Sequence, residues 1–214
     1  MLGPLDVHQY LVEHDVAHEI VRLPRPAVGA EHLAEVLGLS PRRCLAVYPF
    51  HAWTTSADVL VLLLTSADNT VSAIPALGDL IADRLGDTAT LEAAGAELVS
   101  RHTDYLAGHV TPLMLPDDVI VVATPEVADL AMSIIYTATG DGGTALGISA
   151  ADLLELSRAH VLPASARPSR TTDLDSPAPI SLDRDGVRAV HPFPVSGSRS
   201  GAGAARSTVI ASAS

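Results

Sequence analysis

Apolar positions recur at helical spacing in some stretches of this chain and in short unbroken runs in others, and the two patterns alternate. Residues 5–14 form the first predicted helix, with Tyr10 and Leu11 on its buried side and an end at Asp15. Residues 18–23 follow as a short strand, which Pro24-Arg25-Pro26 stops. A second helix over 30–37 places Leu33, Val36 and Leu37 on one face and closes at Gly38, suited to the left-handed position after a helix. Ser40-Pro41 opens a short turn, with Ser as N-cap and Pro at the first helical position. Residues 44–48 read as a strand, 59–64 as a strand buried on both faces, and 49–58 as the loop between them.

Further on, residues 71–74 read as a third short strand, 75–85 as a helix closed by Gly86, and 93–102 as another helix. Strand 119–123, helical turns over 125–131, strand 133–139, the turn Gly140-Asp141-Gly142-Gly143 and strand 144–148 come next. Ser149 caps a last helix over 150–159, whose apolar side is Leu153, Leu154 and Leu156. This order predicts an α+β fold rather than a βαβ series. No GxGxxG or Walker loop occurs, so a Rossmann fold is not expected. From Ser165 the periodicity stops. Stretches such as SGSRSGAGAARS bury too little to offset the entropy of ordering them. Residues 1–164 are therefore expected to be the folded domain and 165–214 a mostly disordered tail, its His191-Pro-Phe-Pro read as linker in preference to a docking motif.

Composition narrows the chemistry. Aromatic residues make up only 3%, so the core must be built from Leu, Val, Ala and Ile. All 13 basic residues are arginine, which rules out any mechanism that needs a lysine amine. The single cysteine, Cys44, cannot form an internal disulfide, and no zinc-ligand spacing occurs. No cofactor or metal is expected. The N-terminus lacks a signal-peptide pattern, and the longest apolar run is far too short for a bilayer, so a soluble cytoplasmic protein is expected. The net charge of −12 is unevenly spread: residues 1–164 carry 7 Arg against 21 acids (−14), and residues 165–214 carry 6 against 4 (+2). So acidic a body repels phosphate backbones unless one face is locally basic, and Arg42, Arg43, Arg101 and Arg158 are the candidates for such a face.

Three short constellations are candidate chemistry. His14 and His18 have the spacing of two ligands on a helix, but Asp15-Val16 interrupts the helix, so they are expected as separate surface side chains. Gly108-His109-Val110-Thr111-Pro112 is a loop whose Gly and Pro fix the backbone, either as a rigid connection or as a source of N–H groups for an anion or carbonyl oxygen. The Gly140-x-x-Gly143 turn reads likewise as a tight hairpin or as a loop that a ligand approaches.

Taken in order, these pieces resemble the YbaK/ProX family of aminoacyl-tRNA editing domains. The likeness spans residues 5–163. It comprises the run from Tyr10 to Val21 (YLVEHDVAHEIV), the stop at Pro24-Arg-Pro, the helix AEHLAEVLGL, the Ser40-Pro41-Arg-Arg approach to a strand, Gly108-His-Val-Thr-Pro112, and the Gly140–Gly143 turn followed by LGISAADLL. The resemblance implies a mixed, partly barrel-like sheet of six or seven strands surrounded by helices. It also implies trans-editing, the hydrolysis of the ester joining a small mischarged amino acid to tRNA. The partners implied are aminoacyl-tRNA and an aminoacyl-tRNA synthetase, with no DNA or membrane partner. By the same resemblance, the backbone at Gly108, Val110 and Thr111 stands at the substrate carbonyl, His109 and Pro112 complete the substrate loop, and Gly140 and Gly143 flank the terminal adenosine. Editing members usually carry a lysine where Leu45 stands here, between Cys44 and Ala46. Arg43, two residues earlier, is the nearby cation expected on the same strand face, able to hold a phosphate or carbonyl but not to act as a base. The loop also departs from the family in running from Pro112 to Leu113-Met114, and Trp53 and His51 in the preceding connection are candidates to cover a pocket. A deacylase without the lysine is the first reading. A non-catalytic tRNA-end or synthetase-binding domain is the second, and a small-metabolite module the third.

Overall fold

The computed structural model describes residues 1–164 except 56, 69–73 and 87–88; the expected tail and most of the expected strand at 71–74 lie outside the described residues. In chain order the elements are α1 (Pro4–Glu13), β1 (His18–Arg22), α2 (Gly29–Leu37), a 3-10 turn (Pro41–Arg43), β2 (Leu45–Trp53), β3 (Asp58–Ser66), α3 (Ile74–Leu85), β4 (Thr90–Ala93), α4 (Ala96–Thr103), β5 (Ile120–Ala123), α5 (Pro125–Ala128), β6 (Ile134–Ala138), β7 (Thr144–Ser149), α6 (Ala150–Leu156) and β8 (His160–Val161). The strands make two sheets, β1-β7-β6 and β4-β2-β3-β5-β8. β3–β5 and β5–β8 are parallel, and the other pairings are antiparallel. An isolated parallel bridge between Cys44 and Tyr136 joins the sheets at one point, and no closed barrel forms among the described strands. The fold is the mixed α+β arrangement with surrounding helices that the resemblance implies.

β3 is the centre of the larger sheet, and its unbroken apolar run is buried on both faces. Leu60, Leu62 and Leu64 point into the main core with Leu45, Val110, Leu113, Ile135, Leu146 and Ile148. Val61 and Leu63 point the other way, under α3, against Phe50, Leu77, Ile81 and Val122. A third cluster, Leu33 and Ala34 with Leu23, Ala27, Cys44 and Ala145, packs α2 on the smaller sheet. Each Leu or Val so enclosed contributes on the order of 1.5–3 kcal/mol.

The helix expected over 93–102 starts at Ala96, residues 90–93 being strand β4, and β8 was not foreseen; two further changes bear on the site. Residues 49–58 are not a loop: β2 continues to Trp53 and pairs with β3 from Leu45↔Ser66 to Trp53↔Asp58. Pro49 sits inside this strand although proline cannot donate to a ladder. Here its carbonyl accepts from the Ala94 N–H (3.0 Å), just beyond the β4 ladder that starts at Phe50↔Ala93, so its missing donor falls where the ladder runs out. His51 and Trp53 are accordingly strand residues. The His51 ring lies 4.9 Å from that of Trp53, and its Nε2 contacts the Asp58 carboxylate. Arg43, for its part, precedes the strand in the 3-10 turn that Pro41 starts, so strand alternation does not set its direction.

As expected, His14 and His18 do not converge. His14 hydrogen bonds through Nδ1 with the Tyr10 carbonyl, whereas His18 Nε2 pairs with His8 Nδ1 (2.8 Å). The smaller sheet depends on two glycines in different ways. At Gly147 a Cβ would come within 2.7–2.9 Å of Glu19 and Tyr136 side-chain atoms, whose hydroxyl-to-carboxylate hydrogen bond (2.7 Å) crosses above it. At Gly140, where φ is +99°, a Cβ would come within 2.4 Å of the Leu2 backbone oxygen. Leu2 is itself fixed by donating its N–H to the Asp104 carbonyl (2.9 Å). Gly140→Ala is therefore expected to lower stability by about 3 kcal/mol, or roughly 6–12 °C in Tm. Gly147→Ala, where an exposed Glu19 can swing aside, should lose only about 1 kcal/mol. Thermal denaturation of the two variants measures the difference.

Candidate functional site

Three loops meet at one end of the β1-β7-β6 sheet, and a carboxylate organises the central one. Asp141 Oδ1 accepts from the N–H of Gly143 (2.8 Å), the N–H of Thr144 (2.9 Å) and the hydroxyl of Thr144 (2.8 Å). Thr144 Oγ1 is thereby committed as a donor, so the Thr139 hydroxyl donates in the 2.5 Å contact between them. The turn's outward carbonyls are occupied too: Gly143 accepts from Leu23 N–H and Gly142 from Ala27 N–H, both at 2.9 Å. Residues 23–27, with their two prolines, are thus laid against the turn. On the other side Gly140 N–H donates to the His109 carbonyl (3.0 Å), tying the 108–112 loop to the same turn.

Within the 108–112 loop, the four N–H groups divide. That of His109 closes a turn onto Leu106 (2.9 Å). Those of Gly108, Val110 and Thr111 donate to no other group among the described residues. Gly108 is exposed at φ +87°, a backbone state that suits glycine. Val110 and Thr111 are buried, and the Thr111 hydroxyl is fully enclosed without a partner. Buried donors left unused are uncommon, because each loses its hydrogen bonds to water without replacement. Pro112 and Leu113 are buried behind them, and Tyr105 donates its hydroxyl to the Leu113 carbonyl (3.0 Å), bracing the loop from the core.

His109 is half-buried against this turn. A Cβ on Gly142 would come within 3.0 Å of its Cε1 and 3.2 Å of the Ala27 carbonyl, so the absence of a side chain at Gly142 makes room for the ring. Burial lowers the proton affinity of His109 from the ordinary histidine value, against the opposing pull of Asp141.

The sequence-predicted site residues therefore fall into two groups. Gly108, His109, Val110, Thr111 and Pro112 converge with Gly140 and Gly143. Gly140 is buried and taken up by its close approach to Leu2, while Gly143 donates to Asp141. Arg43 and Leu45 make no hydrogen bond to these two loops among the described residues. Arg43 Nε donates to the Ile134 carbonyl (3.1 Å), and its guanidinium stands 5.7 Å from the Tyr136 ring centroid. Ile134 begins the strand that leads to Gly140, six residues or roughly 20 Å away. The Leu45 side chain belongs to the main core, and the crevice beside it, between Cys44, Ser66 and Val127, leaves no room for a water molecule. Cys44 is fully buried there, its thiol pushed up to about 11 by desolvation, so it is no nucleophile at neutral pH.

The basic face does not assemble either. Arg42 pairs with Asp68 (3.7 Å), Arg101 with Glu97 (2.6 Å) and Arg158 with Asp117 (2.7 Å). Sequence reasoning passed over Arg22, which is exposed at the end of β1 opposite Thr144 and makes no ion pair among the described residues. It also missed Asp141 as the organiser of the turn. The signal for Asp141 was local, an Asp followed by two glycines; Arg22 had none, because only the β1–β7 pairing brings it here.

No protein-family profile and no curated protein matches the chain. Among solved structures it is similar to a hypothetical protein (19% identity, TM-score 0.56, covering 72% of this chain and 95% of that one). It is also similar to a scaffold protein from computational epitope backbone grafting (18%, 0.56, 74% and 94%). A third similar structure is that of a protein provisionally described as a trans-editing enzyme for prolyl-tRNA synthetase (20%, 0.53, 72% and 91%). At these identities the likeness is one of fold, and it extends over nearly the whole of each of the three.

Proposed function

We propose that this chain is an aminoacyl-tRNA deacylase that hydrolyses the ester of a small mischarged amino acid, acting in trans on tRNA. The observation that carries the reading is the set of three uncommitted N–H groups at Gly108, Val110 and Thr111, held by the turn at 140–143. Hydrolysis of an ester passes through a tetrahedral intermediate whose oxygen gains negative charge. Fixed backbone donors stabilise that charge without reorganising, and loss of one such donor typically slows an enzyme by about 10²–10³-fold. The likeness of fold to a protein provisionally described as a trans-editing enzyme supports the same reading. In this assignment Gly108, Val110 and Thr111 face the carbonyl oxygen, and His109 and Pro112 shape the mouth of the site. Gly143 lies beside the terminal adenosine, and Gly140 keeps the turn in place. Arg43 and Leu45 are left as support for β6 and the core. The domain would act within residues 1–164, in the cytoplasm.

A second reading has its own observation. With Arg42, Arg101 and Arg158 neutralised by carboxylates, the acidic body offers little to a phosphate backbone, which favours a domain that docks on a synthetase without hydrolysing anything.

Purified protein incubated with tRNA for proline charged with alanine, cysteine or serine separates the two. A deacylase releases at least one of these amino acids faster than spontaneous hydrolysis does, and Gly108→Ala, strained at φ +87°, slows that release about 10–100-fold. No release from any of the three, by protein with a cooperative unfolding transition, leaves the docking reading. Filter binding of uncharged tRNA across a salt series gives an independent measure. Affinity should fall as salt rises, and Arg22→Ala should reduce the log–log slope by about one if Arg22 contacts a phosphate.

A further inference from the structure

Of the eight histidines among the described residues, six have a ring nitrogen committed inside the protein. His8 and His18 hydrogen bond to each other, and His18 also to the Val16 carbonyl (2.7 Å). His14 bonds the Tyr10 carbonyl, and His32 Nδ1 accepts from the Val28 N–H (3.3 Å). His51 contacts Asp58, and His160 contacts the Arg84 guanidinium. His102, on α4, and His109 are the two whose rings make no hydrogen bond among the described residues. His109 differs from His102 in position: its backbone is fixed by both its N–H and its carbonyl, and its ring is seated over Gly142 in the loop that carries the three free donors.

We propose that His109 is the proton carrier of the deacylation, the catalytic group that makes a lysine unnecessary. The inference rests on the deacylase reading above. As water attacks the ester carbonyl carbon, the neutral imidazole takes one of its protons while the new C–O bond forms. When the bond to the ribose oxygen breaks, the imidazolium returns that proton to the departing oxygen. The products are a free amino acid and an uncharged tRNA; the histidine ends as it began, and no other reactant is consumed.

The other titratable groups in and around these loops are spoken for. Asp141 accepts three hydrogen bonds within its own turn and is the one charged group that acts on His109 from the elements packed against it. The segment at 23–27 presents a backbone carbonyl, that of Ala27, beside Gly142. The Tyr105 hydroxyl is buried and donates to Leu113, with its proton affinity raised. Half-burial favours the neutral, proton-accepting form of His109 at neutral pH, as a general base requires.

The test uses the full chain and the three mischarged proline tRNAs, with rates followed from about pH 5 to 8 after subtraction of the uncatalysed rate. Because burial lowers the His109 pKa, the wild-type rate should climb with pH below the ordinary histidine value and then level off, whereas spontaneous hydrolysis keeps climbing with hydroxide. His109→Gln, which keeps size and polarity but cannot titrate, should lower the plateau by about 10²–10⁴-fold and remove the inflection. His102→Gln should keep the wild-type profile. Gly142→Ala, whose methyl group displaces the ring and leaves His109 in the chain, should lower the plateau and move the inflection, so a folding defect in the glutamine variant does not decide the matter. Wild-type deacylation with His109→Gln within about threefold of it overturns this role and leaves the deacylase reading standing. Absence of wild-type deacylation on all three tRNAs overturns both.

Discussion

Everything at the candidate site hangs on the Asp141 carboxylate and the hydrogen bonds around the turn it builds. A glycine-rich hairpin between β6 and β7 has little of its own to hold one conformation, since glycine loses more backbone freedom on ordering than any other residue. Asp141 supplies three acceptor contacts that close the turn from inside. The closed turn then offers carbonyls to residues 23 and 27 and an N–H to the His109 carbonyl. Two chain segments far apart in sequence are thereby fixed against a third. The 108–112 loop, whose Gly108, Val110 and Thr111 N–H groups have no acceptor among the described residues, is tied to this arrangement through the His109 carbonyl.

The legibility of the chain in its sequence follows the range of the interactions involved. β3 was readable because six consecutive apolar residues admit few other fates, and Leu60 to Leu64 are buried on alternating faces. α2 was readable from its apolar face and Gly38, which adopts φ +65° at the helix end. β2 beyond Pro49 was not. Whether a proline is tolerated depends on which neighbour needs a donor there, and that neighbour, β4, lies forty residues away and was not read as a strand, its last residue, Ala93, being assigned to a helix. The site divides in the same way. The 108–112 and 140–143 loops announce themselves through local Gly and Pro, but their meeting depends on one hydrogen bond between His109 and Gly140, which no local pattern encodes. Arg43 was misplaced because Pro41 turns the chain before the strand begins, so alternation was counted from the wrong residue.

Charge sets a limit on how the protein can meet a nucleic acid. With 21 acids to 7 arginines in residues 1–164, and with several of those arginines paired, diffuse attraction to phosphate is weak. Recognition would have to concentrate on the end of a tRNA, where few phosphates need approach and local donors count for more than net charge. Arg22, without an ion pair among the described residues and at the end of β1 opposite Thr144, is placed for such a short contact. The arginines of residues 165–214, where the balance is positive, are a separate source of attraction along the same chain.

The absence of lysine is coherent with the rest of this arrangement. A lysine ammonium near an ester acts through its charge, and a lone cation in a partly buried loop needs a partner or loses its proton. Backbone N–H groups carry no net charge to desolvate, so they can be buried beside Val110 and Thr111 at a far smaller cost and still meet a developing oxyanion. A neutral imidazole fits the same logic. It is held in a half-buried loop, and in the proposed mechanism its charged state is needed only while the proton is in transit. Asp141, close enough to act on that imidazole yet engaged by its own turn, would soften the transient charge without competing for the proton. A site assembled from uncharged donors and one histidine is thus what an acidic, lysine-free domain can build where three loops meet.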